Sequence, residues 1–205
     1  MADFALPLRE QDVDPDPLHQ FAAWYNDAAQ AGVRDPTAMA IATSTPDGVP
    51  SVRMVLLKGY DERGFVFYTN YSSRKGRELE ANPRAALLFY WDPLGRQVRI
   101  EGHIRRTSQD ESAEYVHSRP RGSQLSALAS PQSEVIASRS ELEQRVADLS
   151  ELYGDAELPV PGTWGGFRLS PYRFEFWQNR EDRLHDRLVY SLTDDVGWRL
   201  QRLAP

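Results

Sequence analysis

The stretch 38–70 decides the fold, and it reads AMAIATSTPDGVPSVRMVLLKGYDERGFVFYTN. Runs rich in β-branched and aromatic residues alternate in it with short groups of turn residues, which is typical of strands joined by tight connections. The pair Asp47-Gly48 is a hairpin signal. Three strands of an antiparallel meander are therefore predicted at 38–44, 51–60 and 65–70.

Further short strands are predicted after this meander, at 85–91, 97–106, 166–169, 173–178, 187–192 and 198–203. N-cap residues, capping boxes and a 3.6-residue apolar period predict helices at 17–31, 74–81, 108–118, 123–129 and 138–153. Many strands with few helices between them favour an antiparallel β-barrel or a highly curved sheet with flanking helices. No glycine-rich dinucleotide fingerprint follows a strand, so a doubly wound sheet is not expected.

The length of 205 residues suits one well-cored domain. Residues 1–15 are polar, rich in Asp and Pro and without period, so we expect a flexible N-terminal arm before a single domain at 16–205. The absence of cysteine excludes a disulfide, a thiol nucleophile and a thiolate metal site. The N-terminus does not resemble a signal peptide and no apolar stretch reaches bilayer length, so a cytoplasmic protein without a membrane partner is expected.

The net charge of −6 and the pI near 5.3 disfavour a nucleic-acid partner, which normally requires a basic face. The four histidines show neither a paired helical spacing nor a carboxylate-backed one, so no metal site is predicted. Because the chain as a whole is acidic, local clusters of basic residues are the better indication of where an anionic ligand binds.

The first such cluster is the run Arg183-Leu-His-Asp-Arg187. In an extended strand Arg183, His185 and Arg187 would point to one face, with Leu184 and Leu188 on the other. Two guanidiniums beside an imidazole suit an anionic, planar, partly aromatic ligand. The alternative is an exposed edge strand whose charges discourage aggregation.

Two more clusters lie in the meander and just after it. The run 53–58 has a cation at each end, and regular alternation places Arg53 and Lys58 on opposite faces, where they would serve different anions or be ordinary surface charges. Tyr68 and Thr69 precede Ser73-Arg74-Lys75 at a predicted helix N-terminus. Free N–H groups and the positive dipole end suit a phosphate there, although simple capping would look the same.

The last two clusters follow the fifth predicted strand, 97–106. Tyr115 and Arg119 lie four residues apart and share a helix face, and Ser123 follows, which makes a second phosphate site or a polar helix end. Gln132 and Ser133 belong to a polar loop that could bind a ligand or be only a turn. The residues alone therefore predict a β-rich protein that binds a phosphorylated aromatic ligand.

Taken in order, these motifs closely resemble those of the pyridoxine/pyridoxamine 5′-phosphate oxidase family, from about residue 16 to the C-terminus. The matching segments are Arg53-Met-Val-Leu-Leu-Lys58, Phe67-Tyr-Thr-Asn70, Ser73-Arg-Lys75, Gly95-Arg-Gln-Val98, His117-Ser-Arg-Pro-Arg121, Ser130-Pro-Gln-Ser133, Trp164-Gly-Gly-Phe167, Phe176-Trp-Gln178, Arg183-Leu-His-Asp-Arg187 and Arg202-Leu-Ala-Pro205.

The resemblance implies a mainly β split barrel with flanking helices, forming a homodimer with FMN in a cleft at the subunit interface. It assigns the cofactor to these residues: Arg53, Met54, Val55, Leu56, Leu57, Lys58, Tyr68, Thr69, Arg74, Lys75, Gln97, Gln132, Ser133, Trp177 and Arg187. It assigns the substrate phosphate to Lys58, Tyr115, Arg119 and Ser123. Arg183 and His185 would cover the pyridine ring opposite the flavin and act as the catalytic residues.

The implied activity is oxidation of pyridoxamine or pyridoxine 5′-phosphate to pyridoxal 5′-phosphate, with dioxygen as acceptor and hydrogen peroxide as product. A phenazine-type flavin oxidase and a non-catalytic FMN or pyridoxal-phosphate binding protein are the alternatives. Lys58, Arg119 and Ser123 argue against the phenazine type, because a substrate without phosphate would leave those cations unpaired. The family's N-terminal arm carries an Arg-x-x-Tyr that this chain lacks, and Phe4 or Arg9 is the candidate to replace it.

Overall fold

The computed structural model describes residues 7–195 and 197–205. Its helices are α1 (Pro17–Gln30), α2 (Arg74–Ala81), α3 (Gln109–Ser118), α4 (Arg121–Ala129) and α5 (Arg139–Tyr153). Its strands are β1 (Ala38–Ser44), β2 (Pro50–Leu56), β3 (Gly59–Asp61), β4 (Gly64–Asn70), β5 (Arg84–Trp91), β6 (Arg96–Arg106), β7 (Trp164–Gln178), β8 (Asp186–Thr193) and β9 (Gly197–Arg202).

All nine strands join one antiparallel sheet in the order β2-β1-β5-β6-β7-β4-β3, and β8 and β9 continue from the second half of β7. The sheet curls until β2 lies beside β4, yet these two strands do not pair. The prediction of a mainly β split barrel with flanking helices is confirmed, and the open seam between β2 and β4 is where the barrel is split.

The helix signals in the sequence are also confirmed. Asp16, Ser73, Ser108 and Ser138 each accept a backbone N–H as the N-cap residue of a helix. Ser108 forms the complete capping box with Glu111. These short-range bonds fix where each helix begins.

Two strand predictions are wrong in their extent. The segments 166–169 and 173–178 form one long strand, β7, with Pro171 at an irregularity where the register with β6 shifts. A proline is tolerated at such a bulge because no ladder hydrogen bond is lost there. Opposite it, a Cβ on Gly102 would lie 2.4 Å from Ser170 O, so the two strands need a glycine to approach this closely.

The predicted strand 51–60 is likewise divided, into β2 and β3. Leu57 N donates to Thr37 O at 2.9 Å, whereas the next amide, Lys58 N, donates to Val66 O at 2.8 Å. Consecutive amides therefore bond to opposite sides of the seam, and the alternation of faces stops at Leu56.

An aromatic cluster closes one end of the barrel. Phe21 on α1 is fully buried, and its ring lies 4.9 Å from the ring of Phe65 and 5.1 Å from that of Phe89. Such edge-on contacts are favourable beyond the area they bury. None of the helices in residues 7–195 and 197–205 is both long and apolar enough to cross a membrane.

The described part of the predicted flexible arm, residues 7–15, is packed against the C-terminal strands. Leu8 is buried, and its N–H donates to Asp186 Oδ2 at 3.1 Å. Glu10 pairs with Arg202 at 2.9 Å, which lowers the pKa of Glu10 to about 2. Arg9 is exposed, and Phe4 lies outside the described residues.

Candidate active site

A cavity of about 290 Å³ opens at the seam between β2 and β4. Its lining residues come from β2 and the link to β3, from β4, the start of α2, the end of α3, the loop after α4 and the start of β7. They are Arg53, Met54, Val55, Leu56, Lys58, Tyr68, Thr69, Lys75, Tyr115, Arg119, Gln132 and Trp164. Eleven of these twelve are residues that the resemblance assigns to cofactor or substrate, and Trp164 is the twelfth.

Lys75 is the most buried cation of this cavity, with 9% of its surface exposed. Its Nζ donates to Gln132 Oε1 at 2.9 Å and to Thr69 Oγ1 at 3.1 Å, and both acceptors are neutral. Burial, with a smaller effect of the Arg53 charge, lowers the pKa of Lys75 to about 8. A nearly buried ammonium whose hydrogen-bond acceptors are neutral is a site for an anion.

Glu78 lies behind this lysine and organises two arginines. Its carboxylate is 5% exposed and pairs with Arg53 NH2 at 3.2 Å and Arg74 Nε at 2.9 Å. Thr43 and Ser51 also donate to Glu78 Oε2, each at 2.5 Å. Burial raises the pKa of Glu78, but these four donors together outweigh it and lower the pKa to about 2.

The opposite end of the cavity is aromatic. Tyr68 and Tyr115 stack with ring centroids 3.8 Å apart, and Trp164 lies parallel to both at 5.9 Å. The guanidinium carbon of Arg119 lies 4.6 Å from the Trp164 ring centroid. The NH1 nitrogen of Arg119 is buried and has no hydrogen-bond partner among the described residues.

The prediction that Arg53 and Lys58 lie on opposite faces is wrong. Arg53 lies within β2 and its NH1 donates to Thr43 Oγ1 at 2.6 Å, whereas Lys58 follows the end of that strand. Because the chain crosses the seam at Leu57 and Lys58, both cations line the same cavity.

The predicted alternation of Arg183, His185 and Arg187 is also wrong. Arg183 ends a 3-10 turn (Glu181–Arg183) and β8 begins only at Asp186. Leu184 and Leu188, which were predicted to share a face, differ in burial, since Leu184 is 69% exposed and Leu188 is fully buried. Arg183 has a φ of +60°, a left-handed conformation that costs energy for a residue with a side chain and is often found at functional sites.

Five predicted site residues form a separate C-terminal group: Gln97, Trp177, Arg183, His185 and Arg187. In the sheet, Trp177 pairs with Gln97 on one side and Arg187 on the other. The His185 ring lies 4.6 Å from the Trp177 ring, and Arg187 Nε pairs with Glu175 at 2.9 Å. None of the five lines the cavity at the seam.

Four predicted site residues lie near the cavity without lining it. Arg74 is held by Glu78, and Ser123 is in the first turn of α4. Ser133 is exposed with a φ of +74° in the loop that presents Gln132. Leu57 is buried and belongs to the core.

Comparison with known proteins agrees with this geometry. Residues 25–153 match the model of the family described as pyridoxamine 5′-phosphate oxidase. The chain belongs to the pyridoxamine 5′-phosphate oxidase family. Residues 164–205 match the C-terminal dimerisation region of pyridoxine 5′-phosphate oxidase, which contains four of the five residues of the C-terminal group.

Curated members of this family are similar over nearly the whole chain. The pyridoxine/pyridoxamine 5′-phosphate oxidase of Rubrobacter xylanophilus is 59% identical over 198 residues, covering 97% of this chain and 91% of that protein. The enzyme of that name from Trichormus variabilis is 54% identical, covering 97% of this chain and 92% of its own. The chloroplastic Arabidopsis thaliana enzyme 1 is 53% identical, with 38% of its own length covered.

Solved structures share the fold of this family member. PhzG from Burkholderia lata, in complex with tetrahydrophenazine-1-carboxylic acid, superposes with a TM-score of 0.91 at 35% identity and 98% coverage of both chains. An FMN-binding protein from Nostoc punctiforme, related to pyridoxamine 5′-phosphate oxidase, gives a TM-score of 0.71 at 17% identity, covering 93% of this chain and 98% of its own.

Sequence reasoning did not identify Glu78 or Trp164 as site residues. Glu78 had a signal, because it lies four residues after Arg74 on a predicted helix, where the two side chains are neighbours. For Trp164 the sequence offers no indication beyond its place in the Trp164-Gly-Gly-Phe167 segment.

Proposed function

We propose that this protein is an FMN-dependent oxidase that converts pyridoxamine or pyridoxine 5′-phosphate to pyridoxal 5′-phosphate, with O2 as acceptor and H2O2 as product. The observation that carries the proposal is one cavity lined by four cations, Arg53, Lys58, Lys75 and Arg119, of which Arg53 affects the pKa of Lys75 and Arg119 lies against the ring of Trp164. Two phosphates, one on the cofactor and one on the substrate, match these four cations in a chain of net charge −6.

The α2 end fits the phosphate of FMN. Lys75 is nearly buried and its hydrogen bonds go to neutral oxygens, while the nearby Glu78 carboxylate pairs with Arg53 and Arg74, so a phosphate there would be the anion in direct contact with the lysine. Arg53 and Gln132 line the cavity there and would hold the phosphate and ribityl chain, together with Arg74 and Ser133 from just outside the lining. When bound, FMN would accept the hydride from C4′ of the substrate and pass the electrons to O2.

The aromatic end fits the phosphate of the substrate. Lys58 and Arg119 supply positive charge, and Tyr115 and Ser123 supply hydroxyl donors. Tyr68 belongs to the aromatic end and Thr69 bonds to Lys75 at the α2 end, so the flavin would lie between these two neighbouring residues. Fixing the substrate in this way contributes through orientation, for which intramolecular reactions allow up to about 7–11 kcal/mol.

We further propose that a second copy of the chain completes the site with its own C-terminal group. Support comes from the position of that group, since β4 pairs with residues 164–169 of β7, whereas Trp177 lies eight residues further along that strand, roughly 26 Å away. The outward side chains of β2 are apolar and exposed, with Val52 at 69% and Met54 at 63%. A homodimer that covers this apolar strand would bring Arg183 and His185 over the substrate ring.

The oxidase function is tested by anaerobic mixing of FMN-loaded protein with pyridoxamine 5′-phosphate, with flavin absorbance as the readout. We expect bleaching, then recovery when air is admitted, with pyridoxal 5′-phosphate and peroxide formed. A flavin that stays oxidised with both phosphorylated substrates would exclude the oxidase, and tight binding without peroxide would identify a binding protein.

The two-chain site is tested by complementation between an Arg119→Gln chain and an Arg183→Leu chain. If each site takes Arg119 from one copy and Arg183 from the other, random mixed dimers contain one intact site and one doubly altered site. About a quarter of wild-type activity then returns after mixing two nearly inactive proteins. No recovery, with heterodimers shown by mass spectrometry, would mean that each chain forms its own site.

A phenazine-type oxidase is the second candidate because PhzG shares the fold at 35% identity. The two cations at the aromatic end, Lys58 and Arg119, favour a phosphorylated substrate, since a carboxylate ligand would need fewer of them. The flavin experiment separates the two functions, because a phenazine-type enzyme would not be reduced by pyridoxamine 5′-phosphate. A cytoplasmic location stays a prediction.

A further inference from the structure

Arg119 is a cation of the cavity with a buried donor that has no acceptor among the described residues. It forms no ion pair within residues 7–195 and 197–205, and its buried NH1 has no hydrogen-bond acceptor there. The contact its guanidinium makes is with the ring of Trp164, at 4.6 Å from the ring centroid. A buried donor without an acceptor is unfavourable, so this guanidinium is arranged for a ligand that supplies the acceptor.

The position of Trp164 is itself fixed by the fold. It is the first residue of β7, paired with Asn70, and its N–H donates to Pro161 O at 2.9 Å. The glycines that follow make room for the neighbouring rings: a Cβ would lie 2.1 Å from the Tyr71 hydroxyl at Gly165 and 2.8 Å from Tyr68 at Gly166. The segment Trp164-Gly-Gly therefore places one large ring beside the cavity and removes side chains from the next two positions.

We propose that Trp164 is a positioning residue for the substrate phosphate, acting through Arg119. The inference rests on the proposed function, in which Arg119 binds that phosphate. An aromatic face attracts and orients a guanidinium through the ring quadrupole. Unlike a carboxylate, it does not neutralise the cation, so the charge and the free N–H groups of Arg119 remain available to the phosphate.

Trp164 also supports a second ligand of the same phosphate. The ring of Tyr115 is parallel to that of Trp164 within 2°, at 5.9 Å, and stacks on Tyr68 from β4. Arg119 and Tyr115 lie at the end of α3, and Trp164 belongs to the sheet. The Trp164 ring, fixed in β7, therefore positions both Tyr115 and Arg119 relative to the cavity.

The test measures binding of pyridoxal 5′-phosphate and of pyridoxal to the FMN-loaded protein by equilibrium titration. For Trp164→Leu we expect roughly tenfold weaker binding of the phosphorylated ligand, and a change below about twofold for pyridoxal. Trp164→Phe keeps an aromatic face, so its affinity for pyridoxal 5′-phosphate should lie within about threefold of the wild-type value. The affinity of each apoprotein variant for FMN is expected to stay within about twofold of the wild-type value, and this result would show that the barrel is intact.

Two further variants separate the possible failures. Trp198→Leu removes a half-buried tryptophan that contacts Phe174 at 5.4 Å, away from the cavity, and should leave the ratio between the two ligands unchanged. If Arg119→Gln weakens pyridoxal 5′-phosphate binding and Trp164→Leu does not, this inference is overturned and the proposed function stands. If Arg119→Gln has no effect either, the proposed substrate site falls and this inference falls with it.

Discussion

The two ends of the cavity hold their arginines by different means. At the α2 end, Arg53 and Arg74 share the buried carboxylate of Glu78, which also accepts from two hydroxyls. At the aromatic end, Arg119 lies against the ring of Trp164 and has no carboxylate partner among the described residues. Both arrangements orient a guanidinium before a ligand arrives, but only the first removes part of its charge.

The difference has an energetic consequence. A buried carboxylate and its arginines depend on each other, because removing either leaves an uncompensated charge in a poorly solvated place. A ring is neutral, so its loss frees the arginine without leaving a buried charge behind. Substitutions at the α2 end should therefore reduce folding stability, whereas substitutions at the aromatic end should mainly reduce ligand affinity.

The largest effect is expected for Glu78→Gln. The substitution keeps the shape of the side chain but leaves Arg53, Arg74 and nearby Lys75 without their anion, and breaking such a buried pair costs about 3–5 kcal/mol. Urea denaturation of the apoprotein measures the change in the free energy of unfolding.

Glu80→Gln is the matched control, because Glu80 lies on the same helix and pairs with Arg106 at the surface, 44% exposed. Its removal should change the stability by less than about 1 kcal/mol. Equal losses for the two variants would contradict the distinction between the two ends of the cavity.

The next effect concerns Lys75 and the pH dependence of FMN binding. The pKa of Lys75 is lowered from 10.5 to about 8, so above pH 8 the folded protein binds fewer protons than the unfolded chain. The lysine's contribution to apoprotein stability therefore rises with pH from about 8 to 10.5. The affinity for FMN should instead decrease with pH, because a phosphate binds the charged form of the lysine. We expect this affinity to fall up to about tenfold per pH unit above pH 8.

Fluorescence titration of the apoprotein with FMN between pH 7 and 9.5 measures this dependence. Lys75→Arg keeps the charge at all these pH values and should give a flat profile. Lys75→Met should bind FMN about 10 to 100 times more weakly at pH 7, also without pH dependence. A wild-type profile as flat as that of the arginine variant would show that Lys75 does not bind the phosphate.

The smallest effect is expected for Tyr115→Phe. The ring that stacks on Tyr68 at 3.8 Å is retained, so apoprotein stability should not change, while the hydroxyl is lost. Loss of one hydrogen bond to the substrate should raise KM for pyridoxamine 5′-phosphate about three- to tenfold, with kcat unchanged. A fall in kcat of similar size would instead place Tyr115 beside the reacting atoms.

Much of the fold follows from local features of the sequence. The N-caps Asp16, Ser73, Ser108 and Ser138 and the Asp47-Gly48 turn involve residues at most three positions apart, and each occurs where it was predicted. The strand predictions were wrong at two places where contacts distant in sequence set the strand ends. These are the crossing after Leu56 and the bulge within β7, where two short strands had been predicted. Local alternation does not show that a strand bends or passes to another partner.

The site shows the same division. The segment Ser73-Arg74-Lys75 at the start of α2 was recognisable as a candidate phosphate site because capping and cations coincide within three residues. The run Arg183 to Arg187 was misjudged, because a left-handed turn interrupts the expected alternation. No periodicity predicts such a turn in a segment without glycine.

The sequence by itself determined the β-rich class and the helix starts, since these depend on residue types and on contacts within a few positions. Only the tertiary structure decided that Arg53 and Lys58 share a cavity, that Glu78 is buried between two arginines, and that Trp164 lies under Arg119. The reason is the closure of the sheet, because the seam between β2 and β4 and the register of β7 bring together residues up to about a hundred positions apart.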